Sequence, residues 1–245
     1  MKCPSCGKEN PEDAQYCNGC GKTLISKEAK WKVWYKKKAV IFSAIGILVV
    51  IAVAWLLLPS SGSNYKTVKI GDQTWMKENL NVDHYRNGDV IPEVQEGEWS
   101  NLTTGAWCYY NYDPANGKKY GKLYNWYAVN DPRGLAPKGW HIPTLKEFET
   151  LVATVHQDGN ALKAVGQGYG NGVGTNTSGF SALLAGCRFS SIHFGRLGYV
   201  AAFFWSSTED STDIAYSFGL SNNGSDVSLF GIGKEYGFSV RCVKD

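Results

Sequence analysis

The sequence predicts an α+β fold dominated by short strands, joined to a small cysteine-bearing module and one long apolar helix. Three observations predict this class. Four of the seven cysteines lie close together near the N-terminus, one stretch of twenty residues carries no charge, and the C-terminal part is rich in glycine and aromatic residues. The predicted division of the 245-residue chain is 1–24, 25–38, 39–58, 59–64 and 65–245.

Residues 39–58 read AVIFSAIGILVVIAVAWLLL and contain no charged side chain. A helix rises about 1.5 Å per residue, so this length matches the roughly 30 Å hydrocarbon core of a bilayer. Trp55 near one end, and Trp31 and Trp34 before the other, occupy positions typical of interfacial aromatics. The segment therefore predicts a transmembrane helix, and a buried core helix is the alternative interpretation.

The charges on either side of this segment predict its orientation. Residues 25–38 form a basic juxtamembrane segment with six lysines and one glutamate, whereas the linker 59–64 carries no charge. Lysine-rich flanks stay in the cytosol, so residues 65–245 are expected outside, at the surface or in the periplasm of a prokaryotic cell. No small-residue cleavage site follows, so we expect a retained, single-pass cell-membrane anchor.

Net charge also differs between the two ends of the chain. Residues 1–38 carry nine lysines against four acidic residues, whereas residues 65–245 carry a net charge of −2. Because the basic charge adjoins the apolar segment, it indicates a membrane surface as its partner rather than nucleic acid.

Four cysteines form two Cys-x-x-Cys pairs separated by ten residues: Cys3, Cys6, Cys17 and Cys20. A glycine follows each pair and permits the tight turn of a zinc knuckle. Four thiolates close a tetrahedral site, so we expect structural zinc, with two disulfides or a redox pair as the alternative. A piece this short buries little apolar surface and should be unfolded without its metal.

The string CPSCGKENPEDAQYCNGCGKTL resembles the short zinc-ribbon module at the N-terminus of many bacterial and archaeal membrane proteins. The resemblance covers residues 2–24 and includes Asn10, Pro11 and Tyr16. It implies a small interaction module. No nucleic-acid partner is expected, because one minimal module offers few phosphate contacts.

From residue 65 the chain alternates short apolar runs with turns rich in glycine and asparagine. A Thr-x-x-Glu capping box at Thr144 predicts one helix, and a second short helix is predicted from Asn160 to Val165. Residues 166–179, GQGYGNGVGTNTSG, predict a long loop. The predicted strands are Thr67–Ile70, Thr74–Met76, Ala106–Tyr110, Ala201–Ser206, Ile214–Leu220, Val227–Phe230 and Gly237–Val243.

Seven motifs follow one another in this part, among them VKIGDQTWMKENL from Val68, PKGWHIPT from Pro137, FWSST from Phe204 and GFSVRCV from Gly237. Their order resembles the Fibrobacter succinogenes major paralogous domain over residues 65–245. The resemblance implies a C-type-lectin-like fold, which also includes formylglycine-generating enzymes. Members are typically surface or secreted proteins, and the resemblance supplies no ligand.

Most motif residues are expected to be structural. Four tryptophans are predicted in the core: Trp75, Trp126, Trp140 and Trp205. Arg188 and Arg241 lie in apolar contexts, so each is expected to make a buried bond to a carboxylate or carbonyl, with Glu78 and Glu209 as candidate partners.

Three groups of residues are candidates for binding or cross-linking. Aromatic contacts for a glycan or protein ligand are predicted at Tyr109, Tyr110, Tyr112, Tyr169 and Tyr199, because flat rings stack at low entropic cost. Calcium ligands, or simply solvated turns, are predicted at Glu209, Asp210, Asp213, Asn222, Asn223 and Asp226. No calcium-dependent lectin motif accompanies them. A disulfide between Cys108 and Cys242 competes with Cys187–Cys242, or with no bond.

No pattern indicates catalysis. The four histidines are far apart in sequence, and His141 is expected to be a packed turn residue rather than a base. A lone cysteine does not reproduce the chemistry of the formylglycine-generating enzymes. The sequence thus predicts a membrane-anchored recognition module for a glycan, cell-wall polymer or protein. The alternative is a structural or interaction protein without a small ligand.

Overall fold

The computed structural model describes residues 1–24, 65–95, 97–190, 193–195, 197–198 and 201–245. It divides the chain into two units at Gly62–Ser63. The predicted segments 25–38, 39–58 and 59–64 lie outside the described residues, as does Tyr199. Within the described ranges, no helix combines the length and the apolar character needed to cross a membrane.

The N-terminal unit repeats one turn twice. The Cys3 N–H donates to the Lys8 carbonyl at 2.9 Å, and the Gly7 N–H returns to the Cys3 carbonyl at 2.9 Å. The second turn repeats both bonds from Cys17, with Gly21 in the place of Gly7. Gly7 and Gly21 have φ angles of +77° and +70°, which L side chains rarely adopt. Each Cys-x-x-Cys pair is therefore held by its own closed turn.

The large unit is a strand-rich α+β domain. Its main sheets are antiparallel, with strand orders β1-β2-β11-β5 and β10-β9-β8, and the pairs β3-β4 and β6-β7 complete it. The strands are β1 Thr67–Ile70, β2 Gln73–Met76, β3 Trp107–Cys108, β4 Leu123–Tyr124, β5 Trp140–His141, β6 Cys187–Arg188, β7 Phe194–Gly195, β8 Ala202–Glu209, β9 Ile214–Leu220, β10 Val227–Gly233 and β11 Val243–Lys244.

The described helices are short, and a side chain caps each of the four α-helices. They are α1 Pro114–Tyr120, α2 Trp126–Val129, α3 Leu145–Thr154 and α4 Gly159–Leu162, with 3₁₀ turns at Trp99–Asn101, Tyr110–Tyr112 and Gly170–Gly172. The predicted capping box of α3 is confirmed, since Thr144 and Glu147 each bond the other's backbone N–H. Asp158 accepts from the Asn160 N–H at 2.9 Å and so begins α4.

Most predicted strands are present, and β9 has the predicted bounds. Strands β8 and β10 extend further than predicted, because both pair along β9. Helix α1 was not predicted, since Gly117 at its centre disfavours a helix. The structure gives the reason for that glycine: a Cβ there would lie 2.1 Å from the Tyr109 ring.

The predicted strand Gly237–Val243 is regular only at its end, where β11 begins. Its backbone instead bonds several elements in turn. The Gly237, Phe238 and Ser239 carbonyls accept from Arg188, Tyr124 and Trp205, at 2.8, 2.9 and 3.0 Å. The Val240 and Cys242 carbonyls accept from Leu80 and Met76. This connecting segment therefore bonds elements from all four sheets.

The core contains the predicted tryptophans Trp75, Trp126 and Trp205, while Trp140 is half-buried. Arg188 and Arg241 are fully buried as predicted. The prediction that Glu78 and Glu209 are their carboxylate partners is wrong.

Neutral oxygens bind both guanidinium groups instead. Arg241 donates to the Phe180 carbonyl and to Asn79 Oδ1. Arg188 donates to the Tyr112 hydroxyl at 2.9 Å and lies over the Trp99 ring. Glu78 pairs with Lys66 and Glu209 with Lys234. The two guanidinium groups are thus bound by a carbonyl, an amide oxygen, a hydroxyl and an aromatic ring rather than by carboxylates.

His141 ties three parts of the domain together. Its Nδ1 lies 2.8 Å from Asp245 Oδ1, and its Nε2 lies 2.7 Å from Glu147 Oε1 on α3. Burial acts to lower the pKa of His141, but the bonds to Glu147 and Asp245 outweigh it and raise the pKa above its ordinary 6.5. Both ring nitrogens are engaged, so His141 has a structural role, but it lies half-buried in strand β5 rather than in the predicted turn.

We predict that this bridge makes folding pH-dependent. A raised folded pKa gives stability that is fully present below the unfolded pKa of about 6.5 and is lost as pH rises through the folded value. The wild-type chain in detergent should therefore lose more stability between about pH 6 and about pH 8 than His141→Gln. Urea unfolding measures this difference. His156→Gln is the control, and an identical pH slope for all three proteins would contradict the prediction.

Candidate functional site

The four N-terminal cysteines converge on one point. Their sulfur atoms all lie within 4.8 Å of one another, with Cys3–Cys20 at 3.7 Å and Cys6–Cys17 at 3.5 Å. Tetrahedral zinc with bonds of about 2.3 Å separates its sulfurs by about 3.8 Å. The donor set therefore fits zinc, with four thiolates and no open position for a substrate.

Backbone and amide donors prepare this site for metal. The Gly19 and Cys20 N–H groups lower the pKa of the Cys17 thiol to about 6, which favours thiolate there. At Cys6 a backbone bond from Lys8 acts to lower the pKa, but the bonds to the neighbouring sulfurs outweigh it and raise the pKa to about 12.

The side chain of Asn10 braces the two turns. It donates to the Lys8 carbonyl of the first turn at 2.9 Å and to the Cys17 sulfur of the second at 3.6 Å, and it accepts from the Asn18 N–H at 2.8 Å. The zinc is structural, as predicted.

The turn that carries three of the predicted calcium ligands, Asn222, Asn223 and Asp226, binds a cation of the protein itself through its backbone. Lys163 is fully buried, and its ammonium donates to the Gly172, Ser221 and Gly224 carbonyls at 2.5, 2.6 and 2.9 Å. Asn223 Oδ1 accepts from the Ser221 hydroxyl. The carbonyls of this turn therefore bind the Lys163 ammonium, at the place where calcium was predicted.

The other three predicted calcium ligands, Glu209, Asp210 and Asp213, do not converge on one point. The buried ammonium of Lys234 binds Glu209 and the Thr212 carbonyl, whereas Asp210 bonds Tyr216 and raises the pKa of that phenol. Asp213 accepts from Lys234 only through its backbone carbonyl. Within the described ranges, the cysteine quartet is the one cluster of three or more Cys, His, Asp or Glu side chains suited to metal.

The predicted aromatic contacts are less accessible than expected. Tyr109, Tyr110 and Tyr112 are half-buried, because they pack on Trp107 or Phe194. Tyr169 is 51% exposed and lies in the glycine-rich loop. Tyr109, Tyr110 and Tyr112 are therefore not the exposed rings that were predicted. Ligand contact by the predicted tyrosines stays a prediction.

The predicted disulfide Cys108–Cys242 is absent, and so is its competitor Cys187–Cys242. All seven cysteines, each within the described residues, are free, and the three in the large unit are buried. Cys108 packs in a cluster with Trp99 and Leu123, away from the cluster that holds Cys187 and Cys242. Burial raises the pKa of Cys108 and Cys242 to about 12 and of Cys187 to about 11. These thiols are inert core side chains.

A cleft of about 540 Å³ lies between β1 and the end of α3. This volume is typical of sites for small ligands. Its lining residues are Lys69, Ile70, Thr154, Val155, His156, Asp158, Ala161, Thr177 and Ser178. No Phe, Tyr or Trp side chain lines it, so the cleft lacks the large rings on which sugars usually stack.

The glycine-rich loop 166–179 provides one wall of the cleft and is firmly held. Lys163 binds its Gly172 carbonyl, and Asn160 donates to the Asn171 carbonyl at 2.9 Å. Ser178 Oγ donates to the Ala161 carbonyl at 2.7 Å. These bonds hold Ser178 directly and the loop that leads to Thr177, so this wall is formed before any ligand arrives.

Sequence reasoning missed Lys163, Lys69 and the cleft. The one signal for Lys163 is its position between Leu162 and Ala164 in a short apolar run, where an unpaired charge would be costly. Lys69 gives no such signal, because alternating exposed residues are ordinary in a strand.

A closed four-cysteine zinc ribbon and a strand-rich α+β domain define a modular structural or interaction protein. The chain belongs to the family of the Fibrobacter succinogenes major domain, whose model matches residues 68–244. The zinc-ribbon domain model matches residues 2–24. Both predicted resemblances are thereby confirmed. No curated protein and no solved structure matches the chain significantly.

We predict one zinc ion per chain, because the four converging thiolates form one tetrahedral site and no second metal cluster occurs among the described residues. Native mass spectrometry of the full chain should show this mass. Cys17→Ser should lose the zinc, whereas Ser5→Ala, a change inside the first Cys-x-x-Cys pair, should keep it. A zinc-free wild-type protein with a folded ribbon would refute the assignment.

We predict that Lys163→Met lowers the free energy of unfolding by at least about 3 kcal/mol, because three buried carbonyls lose a charged donor. Urea unfolding of the full chain in detergent measures the change. Lys146→Met alters an exposed lysine and should stay within about 0.5 kcal/mol of wild type. Equal stability of the two variants would show that the buried ammonium is dispensable.

Proposed function

We propose that the protein is a single-pass membrane protein whose large domain recognises a glycan, cell-wall polymer or protein outside the cytosol, and that it is not an enzyme. The observation that carries the proposal is the preformed cleft beside the glycine-rich loop. A concave site with fixed polar walls binds ligand without reorganisation.

The sequence of residues 39–58 supports the anchor, and the lysines of residues 25–38 support its orientation. The zinc ribbon needs reduced thiolates and suits the cytosol. The large domain is compatible with a non-reducing compartment, because burial shields its three free thiols from oxidation and raises their pKa values.

The distribution of titratable groups supports binding over catalysis. His141 has a carboxylate on each ring nitrogen, so neither nitrogen is free to accept a proton from a substrate. The buried thiols offer no thiolate for the cysteine chemistry of formylglycine-generating enzymes. The C-type-lectin-like fold is part of this proposal, and the order of the seven family motifs supports it.

We predict that protease added to intact spheroplasts digests residues 65–245 and spares the ribbon. An epitope tag at each end of the chain reports which part survives. Digestion of the large domain only after permeabilisation would place it in the cytosol and overturn the proposed topology.

The recognition role is tested with the full chain in detergent micelles on an array of glycans and peptidoglycan fragments. Saturable binding to at least one polymer is expected. Uniformly blank arrays would remove polymer recognition and leave a protein partner.

A further inference from the structure

The cleft between β1 and α3 has an apolar floor and a polar rim. Ile70 and Ala161 are buried and Val155 is half-buried beneath it. Hydroxyl groups of Thr154, Thr177 and Ser178 stand around this floor. A sugar ring has the complementary pattern, since its faces carry C–H groups and its edges carry hydroxyls.

The charges at the rim favour a negative group on the ligand. Lys69 is exposed, and no carboxylate among the described residues pairs with it, whereas nearby Lys66 pairs with Glu78 at 3.0 Å. The Asp158 carboxylate also lines the cleft and caps α4 through the Asn160 N–H. The ammonium available to pair with a negative group of the ligand is that of Lys69.

His156 is held at this rim in an unusual backbone conformation. His156 and Gln157 are consecutive non-glycine residues with φ angles of +55° and +62°. Helix ends usually place glycine in this region, because an L side chain is strained there. The bonds from His156 to the Ala153 carbonyl and from Gln157 to the Val152 carbonyl, at 3.0 and 2.9 Å, maintain it. Retained strain beside a cleft is a feature of functional sites.

From these observations we propose that the cleft binds an acidic oligosaccharide. Lys69 pairs with the sugar carboxylate, and His156 bonds a neighbouring oxygen. Thr177 bonds a hydroxyl, and Ile70 and Val155 pack against a C–H face of the ring. This inference rests on the proposed recognition function and assigns its ligand class.

The test is isothermal titration of the full chain in detergent micelles with a trimer of galacturonic acid and with a neutral hexose trimer. The acidic trimer is expected to bind at least tenfold more tightly, and its affinity should fall as salt is added. Lys69→Gln should weaken binding of the acidic trimer by about tenfold or more, because a charge-assisted hydrogen bond is lost.

His156 and Gln157 provide a matched pair of variants. His156→Gly relieves backbone strain and removes the imidazole, so binding should weaken severalfold while the melting temperature stays equal or rises. Gln157→Gly relieves similar strain outside the lining of the cleft, so binding should stay at the wild-type level.

Equal affinity for the acidic and neutral trimers would overturn the proposal, as would wild-type binding by both Lys69→Gln and His156→Gly. Absence of saturable binding to the acidic trimer would also overturn it. In each case, array binding of another polymer that neither variant weakens would leave the recognition function standing. Blank arrays would instead remove polymer recognition itself.

Discussion

The large domain depends on a buried positive charge that is neutralised by no carboxylate in hydrogen-bonding contact. The Lys163 ammonium is enclosed by carbonyls from the glycine-rich loop and from the turn that joins β9 to β10. An ion left without such partners in a protein interior would cost several kcal/mol. The three carbonyls therefore must stay in place, and two glycine-rich segments become fixed to α4. The loop that contributes Thr177 and Ser178 to the cleft is thereby anchored at Gly172.

The sequence allowed prediction of features that depend on residues close together in the chain. The thiolate pairs, the capping box at Thr144 and the strand Ile214–Leu220 are all of this kind. Each needs only a local pattern, because spacing fixes which side chains meet. The buried tryptophans were also predictable, since large apolar rings contribute most to a core with few long elements.

Features built from distant parts of the chain could not be predicted. Lys163 meets carbonyls 58 and 61 residues away, and the local sequence marks none of them. The cleft joins β1 to the end of α3, which the sequence separates by more than eighty residues. Helix α1 was not predicted because Gly117 disfavours a helix, whereas the structure needs glycine there to make room for the Tyr109 ring. In each case tertiary contacts outweigh the local preference.

The segment Gly237–Val243 has a consequence for how the domain is made. Its carbonyls accept bonds from elements that a ribosome synthesises much earlier, among them Met76, Tyr124 and Trp205. The backbone N–H groups of those residues lack their native acceptors until residues 237–243 have been synthesised. Contacts so far apart in sequence also slow folding. The domain therefore completes the hydrogen bonding of its four sheets only after residues 237–243 have been added.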